Sequence, residues 1–157
     1  MGKNRWYTLI PLFVVIIVAF FLYRIGLSDS SYQGLPTVPC IDSTKPFVQN
    51  YSLHISIIIS GKKLLIPENF GKDYGNCLHE IFTVDSSGLV YVKTNEKENF
   101  TLGNFFDVWH STFNQDQLFG YRTGDKHTLT VFVNGKAVNT YRDTPLFEGT
   151  DIQIVYK

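Results

Sequence analysis

The chain has no run of charge of one sign. Lys plus Arg and Asp plus Glu number 14 each in 157 residues, and the net charge is zero. No basic stretch is interleaved with aromatics, so the electrostatic footprint of a nucleic-acid binder is missing. Cysteine is scarce: only Cys40 and Cys77 occur. No C-x2-C pair and no H-x3-H pair is present, which removes the usual spacing of a structural zinc site. Asp85-Ser86-Ser87-Gly88 lacks the alternating carboxylates and distal Glu of a calcium loop, and reads as a turn. Nor is there a strong catalytic signature. Cys77 with His79 or His110 would form a nucleophile and base only with an orienting Asn or Asp and an oxyanion site.

What the chain does have is one long apolar run. Trp6 to Tyr23 holds eighteen residues without a charge. At a helical rise of about 1.5 Å per residue it covers about 27 Å, close to the hydrocarbon thickness of a bilayer. Trp6, Tyr7 and Tyr23 mark its ends with rings suited to the headgroup level. Lys3, Arg5 and the chain amine precede it, while Arg24 is soon offset by Asp29. The positive excess keeps the N-terminus cytoplasmic and exports the remainder. A cleaved signal peptide would have a shorter apolar region ending in small residues, and no A-x-A-like site follows here. The expected order is a cytoplasmic N-terminus (1–5), a signal-anchor helix (6–25), a linker rich in Ser, Gly, Pro and Thr (26–46), and an extracytoplasmic domain (47–157).

Both cysteines then lie in a compartment that permits disulfides. A Cys40–Cys77 bridge would close a loop of about 38 residues, a stabilisation of about 3–4 kcal/mol in the chain-entropy model. The alternative is two free thiols.

Within the domain, Leu53, Ile55, Ile57 and Ile59 alternate onto one strand face, and Ser60-Gly61 turns the chain into a hairpin. Glu80–Val84 and Leu89–Lys93 form a second hairpin around Asp85–Gly88. After the polar gap TNEKEN, Leu102, Phe105, Phe106 and Trp109 fall at i, i+3, i+4 and i+7, the stripe of an amphipathic helix capped by Thr101. Asn134-Gly135 is the strongest hairpin signal, and Ile152, Ile154 and Tyr156 form a final strand. This order predicts an α+β fold: a β-grasp-like domain with one helix across a mostly antiparallel or mixed sheet.

Several stretches together resemble an uncharacterised family of small membrane-anchored archaeal and bacterial proteins. They are VPC at 38–40, LHISI at 53–57 with the hairpin into LLIP, CLHEIFTVDSSGLVYV from Cys77, FTLGNFFDVW from Phe100, and VNG with the closing strand. The family pattern implies a histidine cluster suited to a transition metal such as copper. Here Ser52 stands beside His54 at the first position, and Phe82-Thr83-Val84-Asp85 replaces the second. The scaffold is kept and most of that cluster is lost.

The function expected is a single-pass, membrane-anchored binding or assembly module with no enzymatic activity and no cofactor. Its partner would be another membrane or extracytoplasmic protein, held for instance by strand addition. The alternative is an extracytoplasmic copper- or zinc-binding protein drawing on His54, Cys77, His79 and His110, which requires a reduced Cys77. An enzyme dependent on the Cys77 thiol is a third reading.

Overall fold

A computed structural model of the chain describes residues 38–73 and 77–157. The expected N-terminus, membrane helix and linker up to residue 37 lie outside the described residues. Among those described, no helix is long and apolar enough to cross a membrane.

Strand β1 (Gln49–Ile59) runs through the middle of the main sheet. Its alternation decides its placement: Leu53, Ile55 and Ile57 are buried to 1% exposure or less. One edge of β1 is shared in succession by two antiparallel partners. β4 (Leu89–Thr94) takes its first half and β2 (Lys62–Leu64) its last three residues. The other edge pairs in parallel with β10 (Asp151–Tyr156), in register Ile55 to Ile152 and Ile57 to Ile154. The sheet is completed by β3 (Ile81–Phe82) beside β4, then β8 (Leu129–Val133) and β9 (Lys136–Val138) beyond β10. Ser60 and Gly61, and likewise Asn134 and Gly135, all have positive φ, as a two-residue hairpin turn of this hand requires.

The helix is α1, Leu102–Val108. Thr101 caps it: Asn104 N–H donates to the Thr101 hydroxyl, and the Asn104 side chain accepts from the Thr101 N–H at 2.9 Å. Phe105 and Phe106 are fully buried. Phe106 stacks on Phe113 with ring centroids 4.4 Å apart, and Phe105 meets Phe70 at 4.9 Å. These rings and the β1, β4, β8 and β10 side chains make one hydrophobic core.

Two expectations need correction. The domain is not the α+β, β-grasp-like fold read from the sequence: among the described residues it is mostly β-sheet, ten strands with one seven-residue α-helix. The aromatic stripe gives only two turns of helix, because Trp109 is already the C-cap and His110 takes the left-handed conformation at φ 51°. The chain then returns as a separate three-stranded sheet, β5 (Phe113–Asn114), β6 (Gln117–Leu118) and β7 (Tyr121–Arg122). Phe113 and Leu118 are buried from that sheet into the core, beside the aromatic rings of the helix. Second, the packed domain takes in residues assigned to the linker. Val38 is 1% exposed in the core, and the Ile41 N–H donates to Leu78 O at 2.8 Å.

Gly71 brings the loop before residue 78 against β3. Its φ is 82°, and a Cβ there would stand 2.3 Å from Ile81 O. Its carbonyl accepts from the His79 N–H at 2.7 Å, which sets where residues 77–80 lie.

Candidate functional site

Cys40 and Cys77 form a disulfide with a Cα–Cα distance of 5.4 Å, and the chain has no free cysteine. His79 lies beneath it, 4% exposed. Its Nδ1 bonds Val38 O at 2.8 Å and its Nε2 bonds Asp73 Oδ2 at 2.9 Å. Both ring nitrogens are therefore engaged by oxygens of the fold. Among the described residues, one group of His, Cys and acidic side chains has ligand atoms within 4.8 Å of each other: Cys40, Cys77 and His79. Its two sulfurs are bonded to one another, which removes thiolate ligation.

The other sequence candidates stand elsewhere. His54, on β1, faces Asp151 Oδ1 at 2.9 Å with one nitrogen and Ser87 O at 3.2 Å with the other. His110 is exposed past the end of α1. His54, Cys77, His79 and His110 are therefore not assembled into one donor set.

One residue beyond His79 the chemistry changes. Glu80 is tied by its backbone on both sides: its N–H donates to Pro39 O at 3.1 Å and its carbonyl accepts from the Lys93 N–H at 2.9 Å. Its side chain is carried inward with the residue 4% exposed. Oε1 accepts a long bond, 3.3 Å, from the Asn95 N–H. Oε2 is buried and has no hydrogen-bond partner. Burial pushes the Glu80 carboxyl above its ordinary range; the Asn95 bond opposes this, and the charges of Glu98 and Glu96 add to it.

Glu80 lines a pocket of about 250 Å³ with Asp42, Lys45, Asn95, Glu96 and Glu98. Asn95 is its clasp: Oδ1 accepts from the Asp42 N–H at 2.8 Å, and Nδ2 donates to the carbonyls of Asp42, Lys45 and Pro46 at 3.1–3.3 Å. The segment after the disulfide is thereby fastened to the end of β4. Asp42 accepts from the Thr44 hydroxyl and N–H, which hold its carboxyl below the ordinary range, and Lys45 sits 3.6 Å from it. Four carboxylates thus face one ammonium.

Glu98 also borders a second, larger groove of about 410 Å³, with Tyr51, Phe100, Leu146, Phe147 and Glu148. Gln49 fixes the wall between the two, its Oε1 accepting from the Glu98 N–H at 2.7 Å. Phe100 and Leu146 are buried in the floor, whereas Phe147 stands 61% exposed at the lip. The Tyr51 hydroxyl donates to Leu146 O at 2.9 Å, and burial raises its pKa. An apolar floor between Glu98 and Glu148 suits a ligand that is apolar and cationic together.

No protein-family model, no curated protein and no solved structure matches the chain. The geometry must carry the functional argument alone. The sequence reading missed Glu80, Glu96 and Glu98. The acidic pair inside TNEKEN was visible as a polar gap, but nothing local marks Glu80 as a buried carboxylate.

Proposed function

We propose that this chain is a single-pass, membrane-anchored binding module that holds its β domain outside the cytoplasmic membrane and engages a protein partner there. The anchor and orientation rest on Trp6–Tyr23 and its flanking charges. The recognition surface is the groove between Glu98 and Glu148. Its occupant is an extended peptide segment of the partner with an apolar side chain next to a Lys or Arg. The observation that carries this reading is the juxtaposition of an exposed Phe147 and a buried aromatic floor with carboxylates at the rim. Charge complementarity at a rim sets orientation and steers encounter, while a desolvated apolar contact supplies affinity.

Strand addition has less in its favour. The outer strands of the main sheet are short, two residues in β3 and three in β9, and Lys136 stands on the latter. The copper or zinc alternative finds no free donor set among the described residues, since Cys77 is bonded and both His79 nitrogens are engaged.

The test is to pan the full-length chain against a displayed-peptide library and measure selected peptides by fluorescence polarisation. Peptides pairing a Lys or Arg with an aromatic or aliphatic residue are expected. Phe147→Ala and Glu148→Gln should each weaken them about tenfold, or 1.4 kcal/mol. Selection of peptides without basic residues, or binding indifferent to both substitutions, would overturn the reading.

A further inference from the structure

We propose that the groove between Glu98 and Glu148 takes a second copy of this chain as its partner, and that the copy inserts Lys63 and Leu65 from its β2 segment. The inference rests on that groove being the recognition surface, and it gives the occupant an identity.

The groove calls for an extended segment with an apolar side chain beside a cation, and the chain displays one on its own surface. β2 is held extended by its pairing with β1, Leu64 opposite Ile57 and Lys63 opposite Ile58. Burial alternates through and beyond it. Leu64 is half-buried and Ile66 is 1% exposed, whereas Lys63 and Leu65 are exposed and share the outward side. Leu65 is 63% exposed and Phe147, at the lip of the groove, 61%; they are the two most exposed large apolar side chains among the described residues.

The charges match as well. Between Ser60 and Pro67 the chain carries Lys62 and Lys63 and no acid. The groove is lined by Glu98 and Glu148 and by no Lys or Arg. Among the described residues, none of these four side chains has an ion-pair partner within the chain. The fold thus leaves complementary charges unpaired beside its two most exposed apolar groups.

Within one copy the two surfaces cannot meet. The groove takes Gln49 and Tyr51 from the start of β1, while β2 pairs with Ile57, Ile58 and Ile59 at its end. From Tyr51 to Ile57 a strand advances about 20 Å. The contact therefore joins unlike surfaces of two copies, the heterologous kind that closes into a ring or runs on as a row. Because β1 already holds β2 in place, docking costs little ordering. The surface is small and belongs with weak interfaces, which confinement of both copies to one membrane strengthens.

The experiment is resonance energy transfer between full-length chains carrying N-terminal donor or acceptor labels, reconstituted together in lipid vesicles at several protein-to-lipid ratios. Transfer above the level of random proximity is expected, falling as salt is raised. Lys62→Glu/Lys63→Glu should weaken association about tenfold or more, and so should Glu98→Lys/Glu148→Lys. Mixing these two variants should restore it, since each presents the charge that the other's surface lacks. Leu65→Ala and Phe147→Ala should each weaken the parent about tenfold. All the substituted side chains are exposed, so the variants keep the fold. Random-level transfer in the parent would overturn the self-pairing, as would association untouched by either charge reversal or a mixture that fails to recover. If displayed peptides pairing Lys with an apolar residue still bind the groove when the parent shows only random transfer, the groove stands and a different protein fills it.

Discussion

Removing the disulfide should cost this domain a large part of its stability while leaving its folded structure nearly intact. Cys40 and Cys77 are 37 positions apart. In the chain-entropy model a crosslink over a loop of this length removes about 13 cal/mol/K from the unfolded ensemble, or about 3.9 kcal/mol at 25 °C. The native side of the balance changes little. The Ile41 N–H still donates to Leu78 O at 2.8 Å, the Glu80 N–H to Pro39 O at 3.1 Å, and Val38 stays 1% exposed in the core. The perturbation is the double variant Cys40→Ser/Cys77→Ser, compared with the oxidised parent by urea and thermal unfolding followed by far-UV circular dichroism. The expected loss of about 4 kcal/mol corresponds to a fall in Tm of roughly 12–20 °C for a domain of this size. Near-native spectra before the transition are part of the expectation. A loss below about 1 kcal/mol would refute the reasoning, because the open chain would then already hold residues 38–48 beside 77–80 when unfolded.

Phe106→Ala should destabilise by about 3–5 kcal/mol, since the ring is fully buried and stacked 4.4 Å from Phe113; a chemical-denaturation shift under about 1.5 kcal/mol would mean that the three-stranded sheet collapses into the cavity. Glu80 predicts a pH dependence. Its folded carboxyl is raised by burial, so the native state keeps a proton that the unfolded state has lost. Its cost is absent below the ordinary carboxylate value and grows as pH rises through the raised folded value. Glu80→Gln should therefore gain on the parent in urea midpoints as pH rises above the ordinary carboxylate range, and a gap that stays constant or narrows would contradict this.

Much of the local structure was legible because it depends on neighbours in sequence. The alternation of Leu53, Ile55 and Ile57, the Ser60-Gly61 and Asn134-Gly135 turns and the Thr101 cap each need only a few adjacent residues. The pairing of Cys40 with Cys77 was readable from their number and the expected compartment. The parallel partnership of β1 and β10 was not, because no local pattern says which strands become neighbours. β5–β7 were missed for another reason: two-residue strands such as Phe113–Asn114 leave too short an alternation to register. At the candidate site a single step along the backbone, from His79 to Glu80, changes the chemistry. Cys77 and His79, two positions apart, look like ligands in the sequence, yet packing occupies the sulfur and both ring nitrogens, and delivers the unsatisfied group at Glu80 instead. Whether a buried polar atom finds a partner is decided by tertiary contacts alone.

The central pairing of β1 with β10 also has a temporal meaning. The paired residues are 97 positions apart, so at about 5–20 residues per second roughly 5–20 s of synthesis separate the two strands. Through that interval Ile55, Ile57 and their neighbours have no permanent companion on one side. The nascent chain therefore travels as an open apolar strand in need of escort, and a message cut short before residue 151 yields a sticky fragment in place of a smaller domain.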